Sequence, residues 1–264
     1  MKFGLENDQI AEINKILSSN SRIEQVIIFG SRAKGNYRPG SDVDLAVVGG
    51  QLKFDELLEI SIELGSLNYP MKFDLILYHQ IKDDEVIDHI RRVGILFYEK
   101  RGLIKSGLPI LVESTTRILI LGTFPSDQSL IRKEYYANPQ NQFWNLLLET
   151  YQQPDCYEYG DRVKVLKENF TGLWDVLKSC SRSGSSDNKI TNAVTNDFYT
   201  LAAEYPNLSY LVFNGKGPYQ YFRKHNRNSP VSIKITVLPS SSSANTWKSF
   251  SMKLKEWSLL PSFK

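Results

Sequence analysis

Residues 117–144 read RILILGTFPSDQSLIRKEYYANPQNQFW. Ile118 to Leu121 form a short unbroken apolar run, the pattern of a strand buried on both faces of a parallel sheet. The run breaks at Gly122 into a loop containing Pro125, and open α/β sheets hold their ligands where strands end in such loops. Two adjacent tyrosines follow, then Asn138, Gln140 and Asn141, then Phe143 and Trp144. The last two are expected in the core. Aromatic faces stack on nucleobases, and carboxamides read base edges or hold a water without a charge to desolvate. The tyrosines and amides would equally suit the core and the caps of a strand–loop–helix corner.

Working outward from this stretch, helical patterns cover 143–151 and 162–169. A serine-rich turn, SRSGSSDNK, follows LWDVL, and TNDFYTLAAEYP reads as a helix stopped by its proline. Tyr210–Phe213 reads as a strand leading through a turn into a helix. IKITVL reads as a strand running into a serine loop, and WKSFSMKLKEWSLL as the closing helix. Alternating strands and helices imply a parallel sheet with helices on both faces. Three strand ends then bring 124–126, 214–216 and 239–245 to one rim.

Five blocks carry a family resemblance: GTFPS (122–126), YYANPQNQFW (135–144), LWDVL (173–177), FNGKGPY (213–219) and VLPSSSSAN (237–245). Together and in this order they resemble the uracil-DNA glycosylase superfamily, most nearly its hypoxanthine (deoxyinosine) branch. The resemblance implies a three-layer α/β/α domain that flips a nucleotide out of DNA and hydrolyses its glycosidic bond. It places Tyr136 against the flipped base, Phe124 in the base pocket and Asn214 at the base edge. Ser126 and the loop of Ser240, Ser241, Ser242 and Ser243 are implied at DNA phosphates, where hydroxyls position without reading sequence. Mismatch-specific relatives carry asparagine where this chain has Phe124, so the hydrolytic water falls to Asn141. An amide is too weak a base to deprotonate water and would orient it for attack on an oxocarbenium-like sugar. Asp175 is the second catalytic candidate, as a carboxylate facing that cation, with helix capping as its alternative. Ser126 stands where glycine is usual and Asn138 where histidine is usual, which leaves the choice of base open.

The first hundred residues carry a separate pattern. LENDQIAEINKILSS is an amphipathic helix, and IEQVIIFG is a β-branched strand ending at Gly30. In Asp42-Val43-Asp44 strand alternation puts both carboxylates on one face. Asp74 sits in a further strand, KFDLILY. Hard oxygen ligands at this spacing suit magnesium, and a third carboxylate completes a site for phosphoryl displacement. Gly30-Ser31 would open a helix whose N–H groups hold triphosphate oxygens. A solvated edge strand is the competing reading of the acids. Gly-Ser, Asp-Val-Asp-Leu and Phe-Asp-Leu in this order resemble the polymerase-β-like nucleotidyltransferases. That resemblance implies Gly30 and Ser31 at the nucleotide phosphates, Asp42, Asp44 and Asp74 on Mg2+, and Asp74 also as base. Arg32 and Lys34 would contact phosphate or stand as solvated basic residues. His79 and His89 read as surface or capping residues. So small a transferase leaves its acceptor to be held by another part of the chain or by a protein partner.

Composition sets outer limits. The chain has 264 residues, a net charge of +3 and two cysteines, Cys156 and Cys180. Two cysteines build neither a four-cysteine iron–sulfur cluster nor a disulfide framework. The charge permits a local DNA-binding patch without requiring one. No apolar stretch approaches membrane length, MKFGLENDQI lacks a signal-peptide core, and a cytoplasmic location is the expectation. The expected architecture is an α/β protein of two domains: a small mixed-sheet nucleotidyltransferase over 1–100, a linker over 101–116, and a glycosylase with a central parallel sheet over 117–264. The expected partners are DNA and a nucleoside triphosphate, with no membrane and no cofactor for the glycosylase. The expected function is excision of a damaged or modified base such as uracil, hypoxanthine or a modified pyrimidine. Two alternatives are a defence glycosylase acting on hypermodified phage bases and an inactive glycosylase fold that only locates DNA for the transferase.

Overall fold

The computed structural model describes residues 1–154, 156, 158–226 and 233–263. The chain forms two compact units, Met1–Leu103 and Ile104–Lys264.

The first unit runs α1 (Asn7–Ser19), β1 (Gln25–Ile28), α2 (Gly30–Lys34), β2 (Val43–Val48), α3 (Phe54–Gly65), β3 (Phe73–Leu77), α4 (Asp84–Val93) and β4 (Ile95–Glu99). Its sheet has the order β3-β2-β1-β4. β1 pairs antiparallel with β2 and β4, while β2 and β3 are parallel. This is the expected mixed sheet. Val26 and Ile28 of β1 and Val43, Leu45 and Val47 of β2 alternate into one core with Ile13, Leu17, Leu57 and Leu64 from α1 and α3. The intervening Asp44 is left on the opposite face.

The second unit continues with β5 (Ile104–Ser106), β6 (Ile118–Gly122), α5 (Asp127–Arg132), α6 (Phe143–Thr150), α7 (Tyr159–Glu168), β7 (Thr171–Asp175), β8 (Leu177–Ser181), β9 (Thr191–Thr195), α8 (Phe198–Glu204), β10 (Tyr210–Asn214), α9 (Lys216–His225), β11 (Lys234–Leu238) and α10 (Phe250–Trp257). Four strands make a parallel sheet of order β11-β10-β6-β7. All five residues of β6 are buried. Ile118 and Ile120 point into a core with Phe143, Trp144 and Trp257. Leu119 and Leu121 point the other way, among Phe198, Phe213 and Phe222. Helices therefore cover both faces, and the three layers follow from the unbroken apolar run.

Two expectations are corrected. The segment 101–116 is for the most part not a linker: β5 pairs antiparallel with β8, which pairs with β9, in a separate three-stranded sheet. Leu111 also bridges Leu173. Buried Lys105 pairs with Asp127 at 2.7 Å, and a lysine ammonium is placed there only with a carboxylate to meet it. Nor does TNDFYT begin a helix at its threonine: Thr195 ends β9, and the helix starts after Asp197, whose side chain accepts from Tyr199 N and Thr200 N. Among the described residues no helix is long and apolar enough to cross a membrane.

Candidate active site

The ends of β6, β7 and β10 and the loop after β11 open on a cleft of about 700 Å³. Its lining includes Phe124, Ser126, Tyr136, Asn138, Asn141, Asp175, Asp187, Asn214, Ser240 to Ser242 and Trp247. The three strand ends expected at one rim do meet there.

Asp175 is the last residue of β7, not a helix cap, and is 4% exposed. Its Oδ2 has no hydrogen-bond partner among the described residues. Burial, then the charge of Asp187, raises its pKa to about 7, against the opposing pull of Arg182. Desolvation disfavours the ionised carboxyl and like charge adds to that cost. β6 and β7 run in register with Gly122 beside Asp175. A Cβ at Gly122 would collide with Asp175 Oδ1 and come within 3.2 Å of the Tyr136 hydroxyl.

Tyr136 adopts a left-handed backbone, φ +55°, a conformation that costs a non-glycine residue about 1 kcal/mol or more. The turn lays its ring flat on Phe143, centroids 3.6 Å apart and 7° from parallel. Burial and the Asp175 charge push its phenol up. Asn214 Nδ2 donates to the Tyr136 hydroxyl at 3.2 Å.

Asn141 lines the cleft, and its Oδ1 accepts from Phe143 N at 3.0 Å. The amide therefore turns the chain into α6 and faces the cleft at once. Phe124 is 7% exposed, with the Arg182 guanidinium 5.2 Å from its ring centroid. It forms a buried wall of the cleft. Arg182 also donates to the Pro125 carbonyl and pairs with Asp187 at 3.3 Å.

Two sequence expectations need correction here. Asn214, expected at a base edge, donates through Nδ2 to Tyr136 and to Ser241 Oγ (2.8 Å), and its Oδ1 accepts from Ser241 N (2.8 Å). Both amide hydrogens are thus engaged within the protein. Ser241, expected at a phosphate, is 0% exposed and is the latch of that arrangement, its carbonyl also accepting from Gln142 N. Ser126, half-buried, lines the cleft and caps α5 by accepting from Ser129 N at 3.1 Å. Ser240, Ser242 and Ser243 are at least partly exposed. Asp187, Arg182 and Trp247 were not legible as site residues. Asp187 lines the cleft, and Arg182 stands behind it, against Phe124 and Asp187, on the β5-β8-β9 side of the domain.

The first unit has its own polar cluster. Asp44 and Asp74 are register partners on parallel strands. Burial, then the charges of Asp74 and Asp42, raise the Asp44 pKa, and His89 and Arg32 act against the rise. His89 is therefore not simply a surface residue. Gly30, φ +68°, lies where any Cβ would collide with Asp44 Oδ2. Neighbouring carboxylates thus raise the proton affinity of Asp44, and carboxylate oxygens are the donors that a hard divalent cation takes. Among the described residues, however, no group of three or more His, Cys, Asp or Glu side chains is arranged to hold a metal ion. The three acids are coupled in charge without being gathered into one chelating cluster. Ser31 follows Gly30 in the first turn of the five-residue α2. Arg32, expected at the nucleotide, is 3% exposed and donates to the carbonyls of Phe3, Gly4, Ser41 and Asp42. Its guanidinium pins the N-terminal turn to the approach of β2, because five donors in a rigid fork can satisfy several buried carbonyls at once.

Comparison with known proteins agrees with both halves. The family "Polymerase beta, Nucleotidyltransferase" matches residues 11–102, and "Uracil DNA glycosylase superfamily" matches 109–260. The chain is 40% identical over 146 residues to a hypoxanthine DNA glycosylase of Methanosarcina acetivorans, covering 54% of this chain and 89% of the relative. It is 28% identical over 92 residues to the "Putative protein adenylyltransferase MJ0141" of Methanocaldococcus jannaschii, covering 33% of this chain and 92% of the relative. The solution structure of a "putative Uracil DNA glycosylase" from Methanosarcina acetivorans superposes with a TM-score of 0.53 at 37% identity, covering 61% of this chain and 99% of that one. With its parallel sheet, its five ordered blocks and a match over most of its length, the chain belongs to the uracil DNA glycosylase superfamily, as an enzyme that also carries a polymerase-β-type nucleotidyltransferase domain.

Proposed function

We propose that the second unit excises a deaminated base, hypoxanthine foremost, from DNA, with Asp175 and Asn141 acting together. The observation that carries the reading is the buried carboxyl of Asp175, with an unpartnered Oδ2 in the lining of a base-sized cleft. A fold kept only for binding gains nothing from a costly buried acid. Tyr136 and Phe124 wall the space for the flipped base, and Asn141 holds the water. The water oxygen bonds to C1′ as the C1′–N bond breaks, and the base departs with the electron pair. The released proton passes to Asp175, whose pKa of about 7 suits a proton acceptor near neutrality. The same carboxylate faces the positive charge that builds on the sugar. Hypoxanthine is named first because the 40%-identical relative bears that name.

The test uses oligonucleotides carrying hypoxanthine, uracil or modified cytosine, followed by alkaline cleavage at abasic sites. The hypoxanthine strand is expected to be cut, and the cut lost with Asp175→Asn. A wild-type protein that leaves all three strands intact would overturn the proposal.

For the first unit, Asp44 and Asp74 would hold Mg2+ jointly with nucleotide phosphates, with Asp42 adding its charge from outside the set, and the ion when bound supplies charge neutralisation for nucleotidyl transfer. Gly30 and Ser31 open α2 toward the nucleotide. Asp74, the exposed acid of the pair, would take a proton from the acceptor hydroxyl. The name of the 28%-identical relative suggests an acceptor on a protein.

A further inference from the structure

Trp247 is 93% exposed, an extreme value for a side chain whose large apolar surface normally rewards burial. Among the described residues no ring or cation packs against it. It lines the cleft that holds Asp175, and it also lines a second cleft of about 620 Å³ floored by Val237, Leu238 and Pro239. The two clefts share Gly215, Lys216, Ser240 and Asn245.

The shared residues make a fixed ridge. Gly215 has φ +113°, and a Cβ there would lie 2.9 Å from Ser240 Cβ, so the turns that follow β10 and β11 pack closely against each other. Asn245 Nδ2 donates to the Ser240 carbonyl at 3.2 Å. The ridge offers a lysine ammonium, and each side offers an aromatic or apolar surface of nucleobase dimensions. A phosphodiester suits the ridge, and a base suits either side of it.

We propose that Trp247 and the second cleft form a base subsite for the nucleotide adjacent to the excised one, taken as an unpaired base stacked on the indole. The inference rests on the glycosylase reading of the first cleft. Two neighbouring bases cannot both leave the stack of an intact duplex cheaply, so the enzyme engages single-stranded or opened DNA in preference to closed duplex.

The test measures binding of the full chain, by fluorescence anisotropy, to single-stranded oligonucleotides with hypoxanthine at one position. The flanking nucleotide on the 5′ or the 3′ side is either normal or a baseless tetrahydrofuran spacer. Wild type is expected to bind about tenfold more weakly when the spacer occupies one of the two flanks. Trp247→Ala should bind the normal strand with that same loss and show no further loss with the spacer, while Trp247→Phe restores the difference. Wild-type affinity unchanged by a spacer on either flank would overturn the subsite. An equal further loss in Trp247→Ala with the spacer would do the same, because the indole would then be acting elsewhere on the DNA. Excision from the normal strand is read in parallel. Its absence counts against the glycosylase reading alone, since the binding comparison stands without it.

Discussion

Gly122 and Asp175 lie side by side in the register of β6 and β7, so closely that no side chain can replace the glycine without striking the carboxyl. The end of the central strand is bare so that an acid can occupy the space over it. Gly122→Ala should therefore displace Asp175 and lower excision by on the order of a hundredfold, the scale seen when a reacting group is misplaced by about an ångström. The spectroscopic signature of the fold should be retained, and an abasic-site assay against wild type reads the loss.

Asp175→Asn should abolish excision and at the same time change how stability depends on pH. The carboxyl titrates at about 7 in the fold against an ordinary 3.8. Between those values the folded state keeps a proton that the unfolded chain has lost, so the acid's contribution falls as pH rises from about 4 to about 7 and is flat above. The asparagine variant has no such loss. It should unfold at higher denaturant than wild type at pH 8, by an amount on the order of a few kcal/mol, with the gap closing below pH 4. Denaturation curves at four or five pH values decide this.

Asn141→Ala should slow excision by on the order of a hundredfold while DNA binding stays near wild type, since phosphate contacts dominate affinity. The variant also loses the bond to Phe143 N, at a cost of about 1 kcal/mol. Asn141→Ser keeps an oxygen near that N–H on a shorter arm, and should be as slow as alanine but more stable. A wild-type rate in both variants would take the water away from Asn141.

Excision and nucleotidyl transfer should separate under EDTA. Base hydrolysis through an amide and a carboxylate needs no cation, so excision should survive chelation and the double change Asp42→Ala with Asp44→Ala. Transfer of a radiolabelled nucleotide should fail under both. Loss of excision in either condition would tie the two chemistries to one composite site.

What could be read from the sequence was what local pattern encodes. The apolar run at 118–121 gave a strand buried on both faces, and the glycine and serine loops gave the rim. The family resemblance, not local pattern, singled out Asp175, Asn141 and Tyr136, and all three line the cleft. Partners were not legible. Nothing local in Asn214 or Ser241 says that one amide will hold one buried serine across 27 positions. Asp187 and Arg182 stayed hidden because their place depends on β5 pairing with β8, where Lys105 meets Cys180. A pairing of that span leaves no periodicity in either strand. Arg32 failed in the opposite way: a basic residue beside a phosphate loop looks like a ligand until its guanidinium is found among four carbonyls.

The strand β5 also dictates where the gene can be cut. Each sheet draws all its strands from one unit, and the boundary falls between Leu103 and Ile104. A fragment encoding 104–264 retains the Lys105–Asp127 ion pair and the Leu111–Leu173 bridge. One beginning at 117, where the sequence alone would invite the scissors, strips an edge from the antiparallel sheet and leaves Asp127 facing no lysine. The longer fragment should express as a cooperatively melting domain and the shorter one should aggregate. Dissecting this two-headed enzyme into its halves thus depends on thirteen residues that look like a tether.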